Sequence, residues 1–228
     1  MELVNTRSLA NTLNRVNEML LFDKPLSRPQ REKVSQWIAS RQGLQDSYAN
    51  MFAPTKRDLM EGIRVFTGEK ITSGAALRHV LGEEACRVLI QLNVSKASVK
   101  DALKRASKGM ISRLKQSERW FYKSGMYCCG TCTVSLWRHL VVGGLDNAEG
   151  RLTVGMKALR KHRIGDCKWR RFPFYYTLLA LSEIDLPAAK AEIKYAAKVL
   201  EGFLKRSQKK TKVNQYRRVL AERILSRI

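Results

Sequence analysis

The chain has 228 residues, 44% of them hydrophobic, and sets 43 Lys and Arg against 20 Asp and Glu, for a formal charge of +23. This length and apolar content exclude a disordered chain and suffice for a substantial core. The positive excess concerns partners and solubility rather than fold, and it favours polyanionic partners over cationic ones.

Apolar residues recur with helical periodicity almost throughout, and strand alternation is nearly absent. In chain order, helices are predicted near 7–22, 30–41, 55–67, 72–92, 97–119, 130–142, 147–163, 173–184, 188–206 and 212–227. Pro25, Pro29, Pro54, Pro173 and Pro187 stand between or at the start of these stretches. Gly43, Gly68, Gly125, Gly143, Gly144 and Gly165 mark turns. The 72–92 helix is expected to break at Gly82, with Glu83 and Glu84 opening its second part and offsetting the dipole there. In 97–119, Val99, Leu103, Ala106, Met110 and Leu114 form the buried stripe, Ser98 is the expected N-cap, and Lys100, Lys104, Lys108 and Lys115 fall on another side. In 188–206 the stripe is Ile193, Ala197, Leu200 and Leu204, with Lys190, Lys194, Lys198 and Lys205 elsewhere. No signal peptide is expected. The longest apolar runs, such as Leu136 to Leu145 with Arg138 and His139 inside it, are far too short to span a bilayer. No Gly/Ser-rich linker divides the chain. One all-helical domain over 1–228 is therefore expected, with an N-terminal half (1–125) and a repeat-like C-terminal half (126–228), built of helical hairpins as a bundle, a helical repeat or a small α/α toroid.

A duplication supports the hairpin reading. Ser40-Arg41-Gln42-Gly43 leads through Tyr48 to Phe52-Ala53-Pro54 and a helix with Leu59 and Ile63. Lys161-His162-Arg163-Ile164-Gly165-Asp166 leads through Trp169 to Phe172-Pro173-Phe174 and a helix with Leu178 and Leu181. Cys132 to Trp137, Gly143-Gly144-Leu145, Gly165-Asp166-Cys167-Lys168-Trp169 and Phe172 to Leu181 together resemble the helix–Gly-Asp-x-x-Trp–helix repeat of squalene cyclases and protein prenyltransferase β subunits. The resemblance covers about 50 residues, 132–184, and more loosely 37–67. It implies an α/α toroid, a ring of helical hairpins around an aromatic-lined cavity. The Asp-rich acid motif of the cyclases is absent. The prenyltransferases' zinc-binding Asp-x-Cys pair and distant His are not reproduced either: Asp166 and Cys167 are adjacent and no His follows them.

The charge is partitioned. Residues 96–123 carry a net +7, 151–171 a net +7 and 186–228 a net +9, which together account for the whole excess. Lys and Arg neutralise phosphates and release counterions, so these segments point to nucleic acid or another polyanion. The residues expected to carry this are Lys100, Lys104, Lys108, Arg160, Lys161, Arg163, Arg170, Arg171, Lys205, Arg206, Lys209, Lys210 and Lys212. Trp169 and Phe172, flanking Arg170 and Arg171, are candidates to stack bases or, with Tyr175 and Tyr176, to line a cavity, with core packing the favoured reading for these rings.

Five cysteines are an odd number, read as reduced thiols of a cytoplasmic protein. Cys128, Cys129 and Cys132 stand at a predicted helix start, where one C-x2-C pair is half a tetrahedral zinc site. Cys167 or Cys86 is the candidate fourth thiolate. A zinc ion or iron–sulfur centre, reactive low-pKa thiols, and plain core packing all remain open for this cluster. Acid–base candidates are few. His139 reads as a core histidine and His162 as exposed, and Asp58 and Glu61 read as ion-paired with Arg57 or Arg64. No nucleophile elbow, P-loop or dinucleotide-binding glycine turn occurs. The sequence thus favours a non-catalytic, polyanion-binding helical protein. The competing readings are a toroid-like enzyme or ligand-binding protein with an aromatic cavity and a cysteine site, and a scaffold that docks an acidic protein.

Overall fold

A computed structural model describes residues 2–206 and 211–228. The chain is all-helical: α1 (Leu9–Leu21), α2 (Arg28–Ala39), α3 (Lys56–Glu61), α4 (Gly74–Leu92), α5 (Ala97–Gln116), α6 (Glu118–Ser124), α7 (Gly130–Val142), α8 (Ala148–Lys161), α9 (Phe174–Glu183), α10 (Pro187–Lys205) and α11 (Lys212–Leu225). Among the described residues the only β pairing consists of three isolated antiparallel bridges, Gln42–Phe52, Arg64–Lys70 and Arg163–Trp169. Among the described residues no helix is long and apolar enough to cross a membrane.

Four helix expectations need correction. The helix expected over 55–67 stops at Glu61, where Gly62 adopts a left-handed φ of 69°. Ile63 and Val65 then bury alternate side chains beside the Arg64–Lys70 bridge. The 72–92 helix does not break. Gly82 lies mid-helix because a Cβ there would collide with Met51, so glycine here serves close packing rather than a turn. Glu83 and Glu84 therefore sit inside the core and open no helix. The stretch expected as one helix over 97–119 divides at Ser117, whose hydroxyl bonds back to the carbonyls of Arg113 and Leu114. The N-cap of α5 is Lys96, and Ser98 makes no cap.

Contacts between helices define two layers. α1, α4, α7, α9 and α11 touch in succession and close back on α1, while α2, α5, α8 and α10 pack outside them and α6 bridges α5 to α8. The inner helices are parallel, since the numbers of bonded partners rise together. On α4 and α7, Val80 meets Ser135 and Glu84 meets Arg138. On α4 and α9, Glu84 meets Tyr176 and Arg87 meets Glu183. On α1 and α11, Glu18 meets Tyr216 and, just beyond the α1 end, Asp23 meets Arg223. α4 and α7 are the most enclosed, buried on nearly every face, as helices apolar all round must be. One continuous apolar core runs from Leu3 to Ile224.

The N-terminal edge is pinned by Asp58. Its carboxylate accepts from the Ser8 hydroxyl, the Leu9 amide, and the Thr55 amide and hydroxyl, so one buried side chain caps α3 and holds the start of α1. Glu61 instead pairs with Arg57. Asp58→Ala is expected to lower stability by about 1–3 kcal/mol, because four donors lose their acceptor. Urea unfolding measures it, and a change within error would show that water replaces the carboxylate without cost.

Candidate functional site

The expected basic residues lie on the outer layer. Lys100, Lys104 and Lys108 are exposed along α5. Arg160 and Lys161 are exposed at the end of α8, Arg170 and Arg171 in the loop after it, and Lys205 and Arg206 at the end of α10. No carboxylate among the described residues pairs with any of these nine. Two expected residues are spent on structure instead. Arg163 pairs with buried Glu192 at 2.9 Å and stacks on Tyr195, and Lys212 pairs with Glu18. Lys209 and Lys210 lie outside the described residues. The carboxylates are largely consumed: apart from Asp58, Asp101, Glu149 and Glu201, each acidic side chain sits against an Arg, Lys or His. The excess thus remains as unpaired cations, concentrated on α5, α6, α8 and α10, which touch in that order.

The candidate stacking aromatics are not on this surface. Trp169, Phe172 and Tyr176 are buried, and Tyr175 is half-buried against Phe203. The Trp169 indole donates to Glu192, Phe172 stacks on Trp137, and Tyr176 donates to Glu84. Gly155 leaves room for the Trp137 indole on which Phe172 stacks. The exposed ring is one that sequence reasoning passed over. Trp120 on α6 is 58% exposed, flanked by Arg119 and Lys123, with Tyr122 on the same short helix also exposed. The available signal was an aromatic pair inside the basic 96–123 segment with no apolar stripe to join.

The interior carries charge as well. Arg138 on α7 donates to Glu84 on α4 and to Glu183 on α9, at 2.9 and 3.0 Å for the latter. Arg87 donates to Glu183 at 2.7 Å and to Asn17 at 2.8 Å. Burial opposes the Glu84 carboxylate, but Arg138, Arg87, and hydrogen bonds from Tyr176 and Asn17 outweigh it and hold its pKa below the usual range. Burial likewise works against Arg138, whose two carboxylate partners nevertheless raise its pKa. The signal in the sequence was Glu84, Arg87 and Arg138 inside otherwise apolar helices, since charges there must find partners. Parallel inner helices gather their negative C-terminal ends at one side of the ring, and arginines there offset the field. A cavity of about 510 Å3 opens at that side, lined by Asn17, Arg87, Gln91, Arg138 and Glu183 among leucines and isoleucines of the inner helices. None of the four candidate cavity aromatics lines it. His139, expected as a core histidine, is fully buried and bonded through Nδ1 to Glu83. His162, expected to be exposed, is half-buried with Nδ1 against the Ala158 carbonyl.

At the opposite, N-terminal side of α4 and α7 lies the cysteine turn. Ligand atoms of His79, Cys128 and Cys132 all fall within 4.8 Å of one another. Cys129 Sγ lies 3.5 Å from Cys132 Sγ. Cys167 and Cys86 are not in this group. Cys167 stays in the loop after α8 at a left-handed φ of 63°, and Cys86 is buried two turns further along α4 from His79. His79, far from the cysteines along the chain, arrives because α4 and α7 run in parallel. Its ring packs 3.7 Å from that of Tyr48. Burial and then the Arg113 charge push its pKa down to about 4, so the imidazole is neutral. The hydrogen bond from Cys132 lowers the Cys129 thiol to about 5, and the same interaction raises Cys132. Burial raises Cys128. A neutral imidazole and a thiolate beside two further thiols form a donor set for a thiophilic cation.

No family model, curated protein or solved structure matches this chain.

Proposed function

We propose that this protein binds nucleic acid through its outer layer, without catalysing a reaction on it. The observation that carries the reading is the excess of exposed cations over α5, α6, α8 and α10 that no carboxylate among the described residues pairs, against only three exposed, unpaired acids on the same helices, Asp101, Glu149 and Glu201. A free polyanion supplies the missing counter-charge and releases condensed cations from itself. Trp120, exposed between Arg119 and Lys123, favours a strand with unstacked bases over a purely phosphate-borne attraction, because any base can stack on an indole face.

Anisotropy of a labelled single-stranded oligonucleotide tests this across a salt series. Affinity is expected to fall steeply as salt rises. Replacing Lys100, Lys104 and Lys108 together by Gln should flatten the dependence of log K on log salt by about 0.7 for each phosphate no longer neutralised. Trp120→Ala should cost about 1–3 kcal/mol with the oligonucleotide and nothing with heparin, which has no bases. An oligonucleotide that fails to bind even at low salt would sink the reading.

A second reading is favoured by one observation, the cavity at the C-terminal side of the inner ring, whose wall holds Arg227, paired with no carboxylate among the described residues, beside the already paired Arg87 and Arg138. Its dimensions suit a small amphipathic ligand with an acidic group. Under that reading the outer-layer lysine substitutions leave binding unchanged.

A further inference from the structure

We propose that His79, Cys128, Cys129 and Cys132 form a zinc site that fastens the start of α7 to α4. Three of these residues already hold their ligand atoms within 4.8 Å of one another, and the Cys129 and Cys132 sulfurs are 3.5 Å apart. Zn–S and Zn–N bonds of about 2.3 and 2.0 Å place neighbouring ligands of a tetrahedral ion about 3.5–3.8 Å apart. His79, Cys128 and Cys132 need only close in by a little, and Cys129, within reach of Cys132 alone, must rotate in as the fourth ligand. A second observation is independent of the sulfurs. His79 is only 8% exposed, and its Nδ1 is buried without a hydrogen-bond partner. A buried ring nitrogen without a partner, on a histidine whose ligand atom lies within 4.8 Å of the Cys128 and Cys132 sulfurs, is costly without an ion. The Tyr48 ring lies against the His79 ring, tilted by 41°, and its hydroxyl hydrogen-bonds to Tyr127, which helps to fix the imidazole.

Mixed thiolate and imidazole ligation is zinc's preference, and four protein ligands leave no position for substrate, so the site is structural. A disulfide between Cys129 and Cys132 would leave Cys128 and His79 without a role. On binding, each of the three cysteines forms a sulfur–metal bond; Cys128 and Cys132 yield their thiol protons to solvent, and Cys129 binds as the thiolate it already is. His79, already neutral, yields none. The turn over residues 125–129 joins α6 to α7, so the ion would stiffen the link between the basic α5–α6 surface and the inner ring.

The test is elemental analysis of the full chain purified under reducing conditions, followed by removal of the metal and titration with Co2+. One zinc per chain is expected, with Co2+ giving thiolate charge-transfer bands and the visible bands of a tetrahedral ion. Cys132→Ser and His79→Asn should lose both zinc and colour, and Cys167→Ser should keep both. Because Cys132 is buried and its variant could unfold, Cys128→Ser provides the solvent-side check: Cys128 is exposed, and its loss should reduce the charge-transfer intensity in a chain whose circular dichroism is unchanged. A folded, reduced wild-type chain that carries no zinc and stays colourless with Co2+ overturns the proposal. So does a Cys128→Ser or Cys129→Ser variant whose cobalt spectrum matches the wild type.

Discussion

Arg138→Met is expected to destabilise the protein by about 3–5 kcal/mol, the cost of stranding buried charge once its partner is removed. Arg138 is fully enclosed and serves Glu84 and Glu183 together, so its loss leaves two carboxylates with only Arg87 between them. Urea unfolding with an unchanged m-value would measure it. Pairing the change with Glu84→Leu should recover part of the loss, because Arg87 and Glu183 then remain as one balanced pair. If the double variant is no more stable than Arg138→Met alone, the cluster is not an energetic unit. A pH dependence follows from the same group. The folded-state pKa of Glu84 is below its ordinary 4.5, so its contribution is fully present above that value and is lost as pH falls through the lower, folded one. Stability of the wild type should therefore drop on acidification through the carboxylate range, and Glu84→Gln should remove that part of the drop while lowering stability at neutral pH.

Gly130→Ala is expected to cost about 3 kcal/mol, at the upper end for overpacking. A Cβ at this first residue of α7 would overlap the backbone carbonyl of Arg171 and crowd the Cα of Phe172, and backbone cannot rotate aside as a side chain can. The loop it meets is already constrained: Cys167 and Arg171 both hold positive φ, at 63° and 70°. Gly202→Ala makes the contrasting case. It lies within α10 with open space around it, so alanine there should stabilise by up to about 1 kcal/mol through helix propensity. Thermal unfolding of the two variants side by side decides the matter, and similar melting temperatures would show that the α7 start is not packed as tightly as the geometry implies.

Much of the fold is local and was legible in order. Helix positions follow from apolar periodicity and from proline and glycine, because both are properties of a few neighbouring residues. Of the expected α5 stripe, Val99, Ala106, Met110 and Leu114 are buried and Leu103 is half-buried against the core. The errors fall where a distant residue decides. Gly82 signals a turn when read alone and close packing once Met51 is against it. Trp169 and Phe172, beside two arginines, leave base stacking and core packing both open in the sequence, and contacts with Glu192 and Trp137 place them in the core.

The candidate sites divide along the same line. Residue types by themselves set the cationic excess, the segments that carry it and the cysteine triplet. Only the parallel packing of the inner helices brought His79 to Cys128 and Cys132, set Arg138 between Glu84 and Glu183, and separated cations paired by a carboxylate from those left to solvent. Charge and periodicity are additive along a chain. A ligand set or an ion pair needs two backbones at a fixed separation and register, and that is settled by how whole helices bury their faces against one another.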